Sequence, residues 1–318
     1  MQRALPLAVD LLRHEGIRRD SRVGVCYEHP EPVTTVLDHP WERVLFWPER
    51  DANPLFHFFE ALFFLAGRND VSWVARFNKR MLIYSDDGKT LAGSYGHRWR
   101  VAFGQDQIAH VEDILRKDPA SRRAVLQMWH APLDLGVDSK DICCNLLASL
   151  KIRDGRLLMT VFSRSHDVIW GALGSNTVTF STLQEYLASR LGLAIGPYTQ
   201  VSDSFHAYDG VWEKCWGLPV DQPCPYETGE VAASPLHADD PGWDADLADL
   251  FETPSGPGRY RTPWFETTVK PLFLANALRQ AGAWAAAVEA AQECASTDWR
   301  WATVEWLQRR IARRTGAL

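Results

Sequence analysis

Residues 140–167 read KDICCNLLASLKIRDGRLLMTVFSRSHD. Two apolar-rich runs, 146–153 and 156–163, flank Asp154-Gly155. A two-residue Asp-Gly link between such runs predicts a β-hairpin, because those residues accept the backbone twist that tight hairpin turns need. Upstream, AVLQMW (124–129) reads as a third strand. Further upstream, NPLFHFFEALFFLAG (53–67) reads as a helix, with Asn53 as N-cap, Pro54 at its first position and Gly67 at its end. It is apolar almost all round, so it should be buried, with Glu60 in its middle. Residues 181–191 read as another helix, with Ser181 and Gln184 spaced as a capping box. Strands in the middle with helices before and after predict an α+β domain.

Outward from this centre, MQRALPLAVDLLRHEG (1–16) reads as a short amphipathic helix. Its Asp, Glu and His interrupt what a signal peptide would need, so a cytoplasmic location is expected. From 217 to 261 the composition shifts to Pro, Gly, Asp and Glu, which reads as a long, partly mobile loop or insert. From 269 to 314, Ala, Leu, Arg and Trp recur at helical spacing, so two or three C-terminal helices are expected. The division is a core (1–216), an insert (217–262) and a helical extension packed on the core (263–318).

The 318 residues carry a formal net charge of -6, without the global basic footprint of a nucleic-acid binder. No apolar run has membrane-spanning length, so no membrane partner is expected. The six cysteines form no C-x-x-C pair, and no His/Asp cluster has ligand spacing, so neither a metal nor a disulfide framework is expected. Cys143 and Cys144 are adjacent, and either could be a working thiol or a small buried hydrophobe. Arg122-Arg123 and Arg164 are planar cationic forks suited to phosphate, or ordinary solvated charges. His206 and Tyr208 alternate, so a strand would put both on one face. Glu60, if buried without a partner, should have a raised pKa, the setting of a general acid or base.

Several separated stretches, in one order, carry a resemblance. They are FHFFEALFFLAGRND (57–70), YGHRWR (95–100), DPASRRAVLQMW (118–129), KDICCN (140–145), RSHDVIWGALGSN (164–176) and SDSFHAY (202–208). Together they resemble the thymidylate synthase family over about residues 20–210. The resemblance implies a thymidylate synthase-like fold, a mixed β-sheet flanked by helices, here with extra C-terminal helices. It implies Cys144 as nucleophile toward C6 of a pyrimidine nucleoside monophosphate, with Cys143 in place of the family's proline. Arg164, Ser165 and Arg22 match phosphate ligands. Arg122 and Arg123 match a pair that reaches the partner subunit's phosphate, which implies a homodimer with shared sites. His206 and Tyr208 match the pair at the sugar 3′-hydroxyl. Glu60 matches an organiser of water near O4, and Tyr95 a neighbour of the proton lost from C5. Asp167 and Gly171 match positions where a reduced folate binds, so 5,10-methylenetetrahydrofolate is the implied co-substrate.

Asn176 matches the base reader. Its amide offers one donor and one acceptor, which suits O4 and N3–H of uracil, although a flipped amide would suit cytosine. Reaching Asn176 requires a one-residue insertion in GALGS. Two products follow from the common covalent adduct: hydride gives a methyl group, water a hydroxymethyl group. Asn176 favours dUMP, so thymidylate synthesis is the first expectation and 5-hydroxymethylation of dUMP, dCMP or CMP the alternative. Three departures favour the alternative. The position of the family's tryptophan near the exocyclic methylene falls on Met81 or Leu82. Asn145 stands where a histidine often follows the nucleophile. The terminus RRTGAL lacks the apolar tail that closes over the folate. A nucleotide- or RNA-binding descendant without catalysis is the rival of another class. Retention of Cys144, Arg164, Asp167 and Tyr95 together speaks against it, since binding alone needs no thiol.

Overall fold

The computed structural model describes residues 1–253 and 258–316. In chain order its elements are α1 (Ala4–Glu15), β1 (Ile17–Asp20), β2 (Val25–Glu28), β3 (Val33–Leu37), α2 (Pro54–Leu65) and α3 (Val71–Val74). Then come α4 (Tyr95–Arg100), α5 (Gln107–Lys117), β4 (Val125–Gln127), α6 (Ala131–Asp134), β5 (Asn145–Arg153) and β6 (Arg156–Asp167). The chain continues through α7 (Asn176–Leu191), β7 (Ala194–Tyr208), α8 (Trp243–Glu252), α9 (Lys270–Gln280), α10 (Trp284–Gln292) and α11 (Thr297–Thr315).

One mixed sheet runs in the order β1-β2-β7-β6-β5-β4, with β3 also on β7. The Asp154-Gly155 turn joins β5 and β6 in register Arg153↔Arg156, with Asp154 and Gly155 both at positive φ. The single parallel pair, β6 and β7, is bridged by α7, the crossover that parallel strands require. β7 is long enough to take β3 along residues 198–202 and β2 along 206–208, so its C-terminal end stands among β6, β2 and the β1–β2 turn.

Helix α2 is buried at every position, as its apolar circumference requires. Asn53 accepts the Phe56 N–H at 3.1 Å and Pro54 opens the helix. One flank of α2 packs against α7. The other takes the C-terminal helices, with the Phe58 ring 5.8 Å from Trp264 and 5.0 Å from Trp299. Helix α4 packs across the end of α2 because Gly96 has no side chain: a Cβ there would lie 2.0 Å from the Phe64 carbonyl oxygen. That close crossing brings Tyr95 in beside the sheet.

Two expectations are corrected. Ser181 is not a cap, because α7 starts at Asn176. Ser181 is fully buried and hydrogen-bonds the Val178 carbonyl, and Gln184 reaches across to the carbonyls of Leu157 and Gly196. The small hydroxyl residues that mimic a helix start are there to let α7 lie close to the sheet. The 217–261 stretch is not loop throughout. Trp243, Leu247 and Leu250 have helical spacing and anchor α8, whose Asp246 accepts the backbone N–H groups of Arg261 and Thr262. Residues 254–257 of that stretch, and the last two residues of RRTGAL, lie outside the described residues. Among the described residues no helix is long and apolar enough to cross a membrane.

Candidate active site

The site forms at one end of the sheet, where β6 and β7 end and β5 begins. The chain enters β5 through Ile142–Cys144 and makes a β-bulge between Asn145 and Leu147. Bulges re-aim side chains, and this one follows directly on the candidate nucleophile. The Arg164 N–H bonds the Cys144 carbonyl at 3.0 Å. Its guanidinium turns back to the carbonyls of Cys143 (2.9 Å) and Ile142 (3.2 Å) and lies 5.4 Å over Trp129. Arg164 is thus fixed against the segment that holds the thiol.

The two cysteines differ. Cys143 is buried, with its Sγ 3.4 Å from the Gly93 carbonyl, and burial pushes its pKa up to about 12. Cys144 is half-buried in the site. Burial raises its pKa above the ordinary thiol value, while Arg164 and Arg22 pull it down. The chemistry of a thiolate nucleophile calls for a lowered pKa. Here burial outweighs both guanidinium groups, so the free thiol holds its proton. Arg22, on the exposed β1–β2 turn, is thus among the charges that act on Cys144.

Around this pair stand the other candidates. Ser165 and Asp167 follow Arg164 on β6, and Asp167 pairs with His206 across the parallel register. His206 and Tyr208 share one face of β7, with ring centroids 5.2 Å apart, and Tyr208 faces Ser21 beside Arg22. Asp167 accepts the Trp170 N–H through Oδ1 at 2.6 Å, while Oδ2 is buried without a partner. Burial raises its pKa. A buried orphan carboxylate oxygen fits a ligand that donates hydrogen bonds, as a pterin ring would.

Residues 168–175 form a π-helical stretch kinked at Leu173 and Gly174. The stretch GALGS, where the match to Asn176 requires one extra residue, lies in this wide turn, a feature common at functional sites. Arg50 holds the stretch by two bonds to the Ile169 carbonyl (3.1 and 2.7 Å) and lies 4.6 Å over the exposed Trp170. Gln200 holds its far end at Ala172 and Thr177. Asn176 opens α7 directly afterwards, with its Nδ2 3.2 Å from where a Cβ on Gly171 would be.

Asn145 is fully buried. Its Oδ1 accepts from the Ser163 hydroxyl, and its amide faces the Tyr95 hydroxyl. Glu60 is 5% exposed, its Oε2 has no partner, and burial pushes its pKa up to about 8. The nearest contributing charge is Asp141, itself raised by burial to about 6 and bonded to the Gly93 N–H at 2.8 Å. At neutral pH Glu60 is a buried carboxylic acid.

Arg122 and Arg123 are not brought to Cys144 within one chain. They precede the edge strand β4, whose start pairs with Ser149, and both are exposed, with no ion-pair partner among the described residues. Sequence reasoning missed Arg50, Trp129, His166 and Asp141. A lone Arg, Trp, His or Asp has no local pattern, and their placement depends on contacts distant in sequence. The position of Asp141 three residues before Cys144 was the one available hint.

The thymidylate synthase family profile matches residues 53–217, the stretch that contains α2 and every strand from β4 to β7. The deoxyuridylate hydroxymethyltransferase of Pseudomonas phage M6 is 46% identical over 98% of this chain and 93% of its own length. This chain belongs to the thymidylate synthase family. Its reaction is therefore folate-dependent one-carbon transfer to C5 of a pyrimidine nucleotide, as a methyl- or hydroxymethyltransferase. The deoxyuridylate hydroxymethyltransferase of Bacillus phage SP01 is 38% identical over 56% of this chain and 49% of its own length. The crystal structure of thymidylate synthase from T4 phage shares the fold, with a TM-score of 0.55 and 22% identity over 70% of this chain and 82% of that one. The family profile ends at 217, whereas the match to the phage M6 protein takes in the insert and the extension as well.

Proposed function

We propose that this enzyme adds a hydroxymethyl group to C5 of deoxyuridylate. The observation that carries this reading is the 46% identity with a deoxyuridylate hydroxymethyltransferase along nearly the whole of both chains. Both expected products belong to one family, and this relationship favours water over hydride as the final nucleophile. The site agrees in two respects. The 79–84 segment presents Leu82, Ile83 and Tyr84 to solvent, with Met81 half-buried, in place of a bulky shield over the reacting carbon. Asn145 faces the Tyr95 hydroxyl, and the two make a buried polar pair of the kind that can hold a water molecule.

In this reading the phosphate lies between Arg22, Arg164 and Ser165, and the 3′-hydroxyl meets His206 and Tyr208. Cys144 Sγ bonds to C6 as its proton passes to water in the site. Charge that develops at O4 is met by Asn176 and by water ordered near Glu60. The folate, when bound, would supply the methylene carbon to C5 and depart as tetrahydrofolate, its ring held by Asp167 beside bare Gly171. The C5 proton leaves toward Tyr95. Water beside Tyr95 and Asn145 then adds to the exocyclic carbon, the Cys144–C6 bond breaks, and the released sulfur takes up the proton left by that water. The free guanidinium groups of Arg122 and Arg123 fit a homodimer in which they complete the partner's phosphate site. The 217–262 insert and 263–318 extension would be additions to a complete catalytic core.

The test is incubation with methylene-tetrahydrofolate and dUMP, dCMP, UMP or CMP separately, followed by mass spectrometry. Hydroxymethyl-dUMP with tetrahydrofolate release is expected. A methylated product with dihydrofolate release, read by absorbance, would overturn the proposal.

A further inference from the structure

His166 is the one fully buried residue of the Arg164–Asp167 run. Its imidazole is 1% exposed, and Nδ1 is hydrogen-bonded to Ser202 Oγ at 2.7 Å. Nε2 is buried and has no partner. An orphaned ring nitrogen beside an active site calls for a reason. Burial pushes the imidazole pKa down to about 3, so the ring is neutral and has one donor and one acceptor nitrogen.

The reason lies across Gly171. A Cβ on that residue would be 3.2 Å from His166 Cδ2, 3.7 Å from His166 Nε2 and 3.2 Å from Asn176 Nδ2. The edge of the imidazole and the Asn176 amide nitrogen thus both lie within 4 Å of one point beside Gly171, which only a bare glycine leaves open. The end of the amide turned toward the imidazole is its nitrogen. If Ser202 Oγ accepts the Nδ1 proton, Nε2 is left as an acceptor. An acceptor there favours the NH2 end of Asn176 and repels the carbonyl end.

The direction of the amide decides the base. Uracil presents O4 as acceptor and N3–H as donor, and cytosine presents the reverse, so a flipped amide exchanges one preference for the other. We propose that His166, its tautomer set by Ser202, fixes the orientation of the Asn176 amide across Gly171 and so makes the enzyme select uracil over cytosine. His166 is then a positioning residue that acts through Asn176 and does not touch the nucleotide. The inference rests on the proposed uracil nucleotide substrate and adds the physical origin of that selectivity.

The experiment compares dUMP with dCMP in two ways: as a kcat/KM ratio with the folate present, and as a ratio of equilibrium dissociation constants without it. The proteins are wild type, His166→Phe, His166→Gln and Ser202→Ala. His166→Phe keeps the ring volume and removes both nitrogens. It should reduce the dUMP:dCMP ratio about 10-fold or more, the scale on which a site loses discrimination when its polar partners are released. His166→Gln, which retains a polar end, should fall between it and wild type. Ser202→Ala keeps the imidazole but frees its tautomer, and should reduce the ratio several-fold. It decides the matter if His166→Phe does not fold. Parallel loss for both nucleotides with unchanged ratios in His166→Phe and Ser202→Ala would mean that His166 only packs, and would overturn the inference. A wild-type enzyme that binds neither nucleotide, or prefers dCMP, would instead overturn the proposed substrate.

Discussion

Helix α2 separates two regions that bury ionisable groups differently. On the side of the C-terminal extension the buried charges are paired. Arg43 bonds Glu185 and Thr182, and Glu185 also accepts the Leu236 N–H. Asp298 accepts from Tyr226 and Ser296, and Asp246 from Arg261 and Thr262. Neutral groups there do go without a partner, among them Tyr260, Thr303 and the indoles of Trp284 and Trp306. On the side of Cys144 it is ionisable groups that are left open, at Glu60 Oε2, His166 Nε2 and Asp167 Oδ2. An unpaired buried polar group costs free energy, most of all an ionisable one, so these three represent stability given up for another purpose. The paired set joins the insert and the extension to the core. The open set is where a nucleotide, a folate and water are proposed to bind.

If this division is right, substitutions on the two sides should separate catalysis from stability. The largest effect is expected from Cys144→Ala. Loss of the nucleophile should reduce turnover on the order of 10⁴-fold or more, with no adduct in mass spectra and an unchanged melting temperature. A variant with near-normal turnover would end the covalent mechanism. Next is Arg43→Met, which leaves Glu185 buried and unpaired. It should cost about 3–5 kcal/mol in urea unfolding, the usual result of stripping one partner from a buried pair. The folded fraction should keep its kcat, and a large kcat loss would blur the two regions into one.

Glu60→Gln is expected to show both effects with opposite signs. Turnover should fall about 100-fold if the carboxyl handles a proton. Its folded pKa is about 8 against an ordinary value of 4.5. Between those values the folded protein holds a proton that the unfolded chain has released. Wild-type stability should therefore fall as pH rises from about 5 to above 8, with the full cost present above 8. Glu60→Gln removes that cost. Its melting temperature should exceed that of wild type by a margin that widens from pH 5 to pH 8.5. A constant margin would mean that Glu60 ionises normally.

The two regions also differed in how far the sequence disclosed them. The Asp154-Gly155 hairpin, the Asn53-Pro54 helix start and the buried circumference of α2 follow from local rules, and the structure has each of them. Glu60 could be expected to have a raised pKa because an apolar helix offers a carboxyl no partner. The paired region was almost unreadable. Arg43 and Glu185 are 142 residues apart, and Tyr226 and Asp298 are 72 apart. Helix α8 was hidden by a composition rich in Pro, Gly and Asp, although its Trp243, Leu247 and Leu250 have helical spacing. Ser181 misled because a buried hydroxyl in mid-helix has the same local sequence as a cap. His166 gave no signal, since its meaning depends on Ser202 from the neighbouring strand and on the absence of a side chain at Gly171.

The smallest expected effect is in product choice, at Asn145. This residue has no solvent exposure, and Ser163 pins its Oδ1. Its amide faces the Tyr95 hydroxyl, and the proposed attacking water is the one held by that pair. Asn145→His would place a larger ring in a fully buried position and occupy that space. Overpacking should cost about 1–3 kcal/mol of stability. The lost water should slow hydration of the exocyclic carbon, because displacing an ordered water without replacing its hydrogen bonds is unfavourable. Hydroxymethyl formation should fall by a few-fold, and the ratio of methyl to hydroxymethyl product, read by mass spectrometry, should rise. Asn145→Asp, nearly the same size but without the donor, should slow hydration without the overpacking. If both variants keep the wild-type product ratio, the water that attacks the carbon comes from bulk solvent across the exposed 79–84 segment. The Asn145–Tyr95 pair would then have no part in choosing the product.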